Sequence, residues 1–352
     1  MRVAEFDFEL PEARIAQHPA DRRDASRLMI VPSDAGRVEH RRFSDLPGIL
    51  RPGDLLILND TRVLPARLYG RKASGGRAEL LLLERESGSG AREIWRCWLR
   101  ARRAPAEGAR LFFPGRMTGT VLGRRGQEWR VALDAGSGEI GPLIDRHGRM
   151  PLPPYIHRDA DAPPSVRDRE RYQTVYARRN GAIAAPTAGL HFTRELLADI
   201  EAAGIEIAFL TLHVGAGTFE PVRAERVADH RMHAERFVLS DGTAEAVERA
   251  RERRGRVVAV GTTVVRTLEF QATGDGRVEA GRGECDLFIV PGYRFRVVDA
   301  MVTNFHLPRS TLIMMVSAFA GRERILASYR EAIEEGYRFY SYGDAMFLER
   351  SE

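Results

Sequence analysis

Six of the nine histidines lie between residues 157 and 306: His157, His191, His213, His230, His233 and His306. Imidazole titrates near neutrality, so it can both take and give a proton there. Three of them sit where an apolar run meets a turn. His213 follows Ile205–Leu212 and precedes Val214-Gly215-Ala216-Gly217-Thr218-Phe219. His191 lies just before Thr193, a helix-capping residue type, and His306 lies between Ala300–Phe305 and Pro308. Reacting groups gather at strand ends in open α/β sheets. A single strand-end histidine is commonly a structural hydrogen-bonder; three in one half of the chain point toward a site. His230-Arg231-Met232-His233 spaces two imidazoles i, i+3, as on one helical face, with Asp229 or Glu235 available as a third metal ligand. That pattern alone is a weak metal signal. Acid–base or hydrogen-bonding work is favoured, and no metal is expected.

Val257-Val258-Ala259-Val260-Gly261-Thr262-Thr263-Val264-Val265-Arg266 reads as strand, tight turn and helix. Backbone N–H groups at such a helix start favour an anion, although Gly-Thr-Thr also serves as a plain cap. Gly215-Ala216-Gly217 lacks the third glycine of a dinucleotide fingerprint. It lets the backbone approach a flat ligand closely. Ala184-Ala185-Pro186-Thr187-Ala188-Gly189-Leu190 either lines a tight pocket with small side chains or is a connecting loop. Tyr337-Arg338-Phe339-Tyr340-Ser341-Tyr342 is either a core strand or a stacking surface for an unpaired base, with Arg338 on phosphate.

The elements that must position these groups follow from the rest of the chain. Its 352 residues suffice for about two domains, with 43% hydrophobic and 29% charged residues, as in a soluble globular protein. Basic residues outnumber acidic ones, 54 to 49, and the isoelectric point is near 9.5, which permits a polyanionic partner. All basic residues but Lys72 are arginines, as a GC-rich genome would produce; lysine-nucleophile chemistry is thereby nearly excluded. Cys97 and Cys285 cannot form a disulfide framework, which fits a reducing cytosol. No run is long enough for a membrane helix, Leu312–Ala320 included, and the N-terminus lacks a signal-peptide pattern.

Asp54-Leu55-Leu56-Ile57-Leu58-Asn59-Asp60 predicts a buried strand within a mixed α/β segment, residues 1–65. Over 66–150 short strand-like runs recur between glycine-rich turns: Ala78–Glu84, Ile94–Leu99, Arg110–Phe113, Thr118–Leu122 and Trp129–Leu133. That texture predicts a small β barrel or sandwich. Pro151-Leu152-Pro153-Pro154 stops it, and residues 158–171 read as an exposed loop. From about 183 strands and helices alternate: helix Arg194–Ala203, strand Ile205–Leu212, helix Thr243–Arg254, strand Val257–Val260, helix Thr263–Phe270, strand Leu287–Val290, then helices Ser310–Phe319 and Arg322–Glu335. The expected fold class is α/β, a layered α/β domain (1–65 and 151–352). If 1–65 feeds strands to the same sheet, residues 66–150 are a small inserted β-barrel domain.

Eight blocks together carry a resemblance. They are Asn59-Asp60-Thr61-Arg62-Val63-Leu64-Pro65-Ala66-Arg67, Ala184 to Thr193, Thr211 to Phe219, Gly261-Thr262-Thr263, Val265-Arg266-Thr267-Leu268-Glu269, Pro291-Gly292-Tyr293, Thr303-Asn304-Phe305-His306-Leu307-Pro308 and Ser341-Tyr342-Gly343-Asp344-Ala345-Met346. In order and over nearly the whole chain, they resemble the S-adenosylmethionine:tRNA ribosyltransferase-isomerase family of queuosine biosynthesis. The resemblance implies an α/β domain interrupted by a small β-barrel domain. It also implies transfer and isomerisation of the ribosyl portion of S-adenosylmethionine onto 7-aminomethyl-7-deazaguanine at a tRNA wobble position. The products would be epoxyqueuosine-tRNA, adenine and methionine.

Under that resemblance His191, His213 and His306, then His233, are the acid–base candidates. Pro186, Thr187, Gly189, Gly215, Gly217, Thr218, Gly261, Thr262 and Thr263 would cradle the cosubstrate, and Arg266 would face an anion. Arg62, Arg67, Arg309, Arg338 and Tyr340 would meet tRNA. Val264, Phe270 and Ala234 stand where the family more often has serine, and Arg309 where lysine is frequent. A cytoplasmic monomer is expected. The competing classes are an S-adenosylmethionine-dependent tRNA methyltransferase and a non-catalytic tRNA-binding protein. The first lacks its usual glycine-rich turn near the N-terminus; the second leaves the histidine and glycine clusters unexplained.

Overall fold

The computed structural model describes residues 1–33, 36–159, 161–219 and 222–351. It divides into two compact units. The first comprises Met1–Thr61, Thr174–Arg179 and Ala185–Glu352; the second comprises Arg62–Gln173 and Asn180–Ala184. The first begins with strands β1 (Arg27–Val31) and β2 (Glu39–Arg42), the short helix α1 (Leu46–Ile49) and strand β3 (Leu55–Asn59). The chain leaves it through β4 (Thr61–Val63).

The second unit contains β5 (Arg67–Lys72), β6 (Arg77–Ser89), β7 (Arg92–Ala101), β8 (Arg110–Phe112), β9 (Thr118–Arg125) and β10 (Glu128–Asp134). These close into a six-stranded barrel in the order β10-β7-β6-β5-β8-β9. Alternate residues point inward, so Trp95 and Cys97 of β7 and Trp129, Val131 and Leu133 of β10 are buried. Outward arginines pair across strands, as in Arg92–Asp134 and Arg96–Glu128. Two helices follow, α2 (Ile140–His147) and α3 (Val166–Arg171). The segment expected as an exposed loop thus carries a helical turn, capped by Ser165. Asp168 is buried there and accepts two hydrogen bonds from Arg158, at 2.8 and 2.9 Å. Residue 160 of that segment lies outside the described residues.

After β11 (Arg179–Ala182) the first unit resumes. Its remaining elements are α4 (Arg194–Ala202), β12 (Glu206–Leu212), β13 (Glu235–Leu239), α5 (Asp241–Glu252), β14 (Val257–Val260), α6 (Thr262–Phe270), β15 (Gly281–Cys285), β16 (Ala300–Asn304), α7 (Thr311–Ala320), α8 (Arg322–Glu334) and β17 (Ala345–Glu349). Thr193, Ser240 and Ser310 cap α4, α5 and α7 with their hydroxyls. Leu287–Val290 forms no strand. The edge strand is Gly281–Cys285 instead, paired antiparallel with β13. The apolar run runs into Pro291, which has no N–H for a ladder.

The nine-stranded sheet has the order β15-β13-β12-β3-β14-β16-β17-β1-β2. Its centre, β12-β3-β14-β16, is parallel. β3, β14 and β16 are buried at every residue, as expected of parallel strands covered on both faces. The outermost strand β2, Glu-His-Arg-Arg, is exposed throughout, and its charges protect the edge. A core of Leu56, Leu58, Val258, Val302 and Phe347 packs against Phe192, Leu196 and Ile200. Because Asn304 pairs with Ala345 and Leu28 also pairs with Ala345, one edge gathers the carboxyl ends of the central strands and the starts of β17 and β1.

A candidate active site at the carboxyl edge of the sheet

At that edge Asn59, the last residue of β3, uses its whole amide. Its Nδ2 donates to the Leu212 carbonyl at 3.0 Å and to Thr263 Oγ1 at 3.3 Å. Its Oδ1 accepts from the backbone N–H groups of Thr61 and Leu212, each at 3.1 Å. The ends of β3 and β12 and the first turn of α6 are thereby fixed to one another. Thr211 Oγ1 donates to Asp60 Oδ1 at 2.5 Å. His213, the next residue after β12, places Nδ1 at 2.8 Å from Thr61 Oγ1. Its ring is half-buried, and Nε2 has no hydrogen-bond partner among the described residues. Burial, then the nearby Arg236 charge, lower the His213 pKa, while Asp60 opposes them. His213 is therefore a neutral base at pH 7.

His191 and His306 sit deeper. His191 is buried and stacks on Phe43. Its Nε2 lies 3.1 Å from Asn304 Nδ2 and its Nδ1 lies 2.6 Å from Ser26 Oγ. Asn304 also turns its NH2 to the Tyr340 and Asp344 carbonyls, so Nε2 of His191 must accept and Nδ1–H must donate. The Ser26 hydroxyl donates to the Arg23 carbonyl at 3.1 Å. His306 Nε2 meets Thr303 Oγ1 at 2.8 Å, and its backbone N–H donates to Tyr329 OH at 2.9 Å. Burial pushes both imidazoles down to about 3, assisted at His191 by Arg338 and Arg23.

The glycine-rich segment after His213 is held from below. Glu235 accepts from Gly215 N–H at 2.8 Å through one oxygen and from Arg266 through the other. Arg266 also donates to the carbonyls of Leu287 and Cys285, at 3.0 and 2.9 Å. Its side chain is only 5% exposed, so its charge is spent on Glu235 rather than offered to a ligand. A Cβ at Gly217 would stand 2.5 Å from His233 Cδ2: the glycine lets that imidazole lie against the loop. Thr218 is exposed. Gly261 has φ +91°, which favours glycine, and faces Ala188 of the Thr187–His191 turn. Gly189 of that turn presses on Tyr176, whose buried hydroxyl has no partner among the described residues. Pro186, Thr187, Gly189, Gly261, Thr262 and Thr263 thus belong to one neighbourhood, with Thr263 tied to Asn59.

Other expectations fare differently. Residues 230–233 form neither helix nor strand, so His230 and His233 share no helix face; His230 packs on Phe288 instead. Among the described residues no group of three or more His, Cys, Asp or Glu is placed to hold a metal ion, and no helix is long and apolar enough to cross a membrane. Tyr340 is no stacking platform. It is 5% exposed, and Tyr337 and Phe339 are fully buried, because Phe305 packs on both. The run forms a buried turn, not a strand. Arg338 pairs with Asp344 and Arg309 with Asp7. Arg67 pairs with Glu79, and Arg62 is exposed; both belong to the second unit.

A family model described as "Queuosine biosynthesis protein" matches residues 3–348. The chain belongs to this family. It is 52% identical to the S-adenosylmethionine:tRNA ribosyltransferase-isomerase of Citrifermentans bemidjiense over 99% of this chain and 100% of that one. It is 54% identical to the protein of the same name from Anaeromyxobacter sp. (strain K), with the same coverage. The crystal structure of S-adenosylmethionine tRNA ribosyltransferase from Thermotoga maritima is 37% identical and has a TM-score of 0.55, covering 98% of this chain and 99% of that one.

Several residues that organise the site were not given a site role from sequence: Asn59, Thr61, Ser26 and Asn304; Glu235 was considered only as a metal ligand, and it instead holds Gly215 and Arg266. Asn59, Thr61 and Asn304 lie in the family blocks; Asn59 and Asn304 end buried strands, and Thr61 opens β4 two residues after β3. A polar residue closing an apolar run is the signal that could have found them. Ser26 carries no such mark.

Proposed function

We propose that this chain transfers and isomerises the ribosyl moiety of S-adenosylmethionine onto 7-aminomethyl-7-deazaguanine at the wobble position of tRNA, releasing adenine and methionine. The observation that carries the reading is the convergence at the sheet's carboxyl edge. Residues 59–61, 211–213 and 263, from three distant blocks of the chain, join through hydrogen bonds around one half-buried imidazole.

The cosubstrate supplies a sulfonium that acidifies the adjacent C5′ hydrogens and makes methionine a leaving group. The protein must then supply proton transfer and a shaped surface. His213 is the group for that transfer: neutral, with Nε2 unengaged. His233 lies beside Gly217 and is the second candidate. His191 and His306, held neutral and enclosed, act as positioning residues. The backbone of Gly215, Gly217, Thr218 and Gly261 to Thr263, with Pro186, Thr187 and Gly189, forms the cosubstrate surface. Arg62, Arg67, Arg309 and Arg338 are proposed for the tRNA backbone, and the 66–150 barrel is proposed as an inserted domain of a cytoplasmic, monomeric enzyme working without metal.

The test is a product assay with S-adenosylmethionine and tRNA carrying the deazaguanine base. Adenine and methionine in equal amounts, with ribosyl label on the tRNA, support the reading. S-adenosylhomocysteine would mean methyl transfer, and tRNA binding without products would mean a binder; either overturns it.

A further inference from the structure

The side chain of Thr61 has no part in the chemistry assigned above, yet it meets Nδ1 of His213, the half-buried imidazole whose Nε2 has no hydrogen-bond partner among the described residues. We propose that Thr61 is a positioning residue that holds His213 as its Nδ1–H tautomer, so that Nε2 faces the substrate as a bare lone pair. The proposal rests on the reading of His213 as the proton-transfer group.

Between the Thr61 hydroxyl and the neutral His213 ring there are two protons to place. The Thr61 hydroxyl carries one, and the Arg179 carbonyl lies within its reach at 3.5 Å. With that proton so directed, Thr61 Oγ1 meets His213 Nδ1, 2.8 Å away, as an acceptor. Nδ1 must then carry the ring proton. A neutral imidazole has only one, so Nε2 is left bare. Thr61 itself is fully buried and cannot exchange this duty with water. Its backbone is held by Asn59 Oδ1, which also holds the Leu212 N–H; the same amide therefore sets the distance from Thr61 to His213. His213 in turn donates its backbone N–H to the Arg236 carbonyl at 2.8 Å, so its main chain is fixed while Thr61 holds the ring. The charged groups bearing on it are Arg236 of β13, Arg179 of β11 and Asp60. None of them hydrogen-bonds the ring among the described residues, so Thr61 is the group that sets the tautomer.

The experiment uses the full chain labelled with nitrogen-15 histidine and its Thr61→Val and Thr61→Ser variants. Imidazole nitrogen shifts are read at pH 8, and the pH profile of kcat is measured in parallel. The expected result is a protonated Nδ1 and bare Nε2 for His213 in the parent and in Thr61→Ser, and loss of that preference in Thr61→Val. Turnover of Thr61→Val should fall on the order of tenfold to a hundredfold. Its acid limb should not move, because Arg236, Arg179 and Asp60 are untouched, and Thr61→Ser should restore the rate. A parent enzyme with the proton on Nε2, or a Thr61→Val enzyme with parental shifts and rate, overturns the proposal. A Thr61-dependent Nδ1–H tautomer in a protein that yields no adenine overturns the reaction assigned to the site and leaves the tautomer assignment standing.

Discussion

The Glu235–Arg266 pair supports the glycine loop, and its removal has a calculable cost. The two side chains are 7% and 5% exposed. Breaking a buried pair from one side leaves an uncompensated charge and costs about 3–5 kcal/mol, whereas replacing both partners costs far less. Glu235→Gln keeps an acceptor for Gly215 N–H but strands the guanidinium. Arg266→Met strands the carboxylate and frees the Cys285 and Leu287 carbonyls. We expect each single variant to lose at least about 3 kcal/mol of local stability, and the double variant to lose less than the sum by about 2 kcal/mol or more. With two units in the chain a single unfolding free energy is not well defined. Trp95, Trp98 and Trp129 all lie in the second unit, so fluorescence does not report on the pair. Amide hydrogen exchange across residues 212–218 and 283–285 does. A 3 kcal/mol loss appears there as about a hundredfold faster exchange. The loosened loop should also raise KM for the cosubstrate more than it lowers kcat. Single variants within about 1 kcal/mol of the parent, or costs that simply add, would refute the reasoning.

Three further outcomes follow from the same geometry. His191 and His306 hold values of about 3 in the fold against 6.5 when free, so only the unfolded chain takes up protons between those limits. Stability should be flat above pH 6.5 and fall by about 1.4 kcal/mol per pH unit per histidine below it. Melting temperatures from pH 7 to 5 should show a shallower slope in His306→Gln, with His191, His213 and His230, whose pKa values burial also lowers, accounting for what remains. Gly189→Ala places a Cβ 2.1 Å from the Tyr176 hydroxyl, an overpacking of about 1–3 kcal/mol. Tyr176→Phe should be neutral or stabilising alone, since that hydroxyl is buried without a partner among the described residues, and should recover part of the Gly189→Ala loss in a thermal melt, Thr174 Cγ2 still lying 2.9 Å from the added Cβ. Raising salt from 50 to 200 mM should weaken tRNA binding in a filter assay, because arginine–phosphate contacts release counterions; salt-independent affinity would contradict such an interface.

Much of this was legible from spacing alone. Apolar runs bounded by glycine or proline located β3, β12 and β14, and the short runs between 78 and 133 fell on strands that close into a barrel. The place of His213 at a strand end was legible because it directly follows the apolar run Ile205–Leu212 and precedes glycines. Arg266 was misread because its partner Glu235 lies 31 residues away, and local sequence cannot reveal that its charge is already neutralised. The aromatic run at 337–342 was ambiguous for the same reason: what buries it is Phe305 and Tyr329, supplied by distant segments. Leu287–Val290 has strand composition, but Pro291 and the Arg266 contact on its first carbonyl turn it to another use.

The most direct test is where the cosubstrate lands. Hydrogen exchange of the full chain with tRNA should be compared with and without S-adenosylmethionine. The reading here predicts added protection over residues 59–61, 211–218 and 261–263. Protection confined to the opposite edge of the sheet, at the cavity of about 500 Å³ lined by Ile30, Glu39, Arg41 and Phe347, with those segments unchanged, would contradict it.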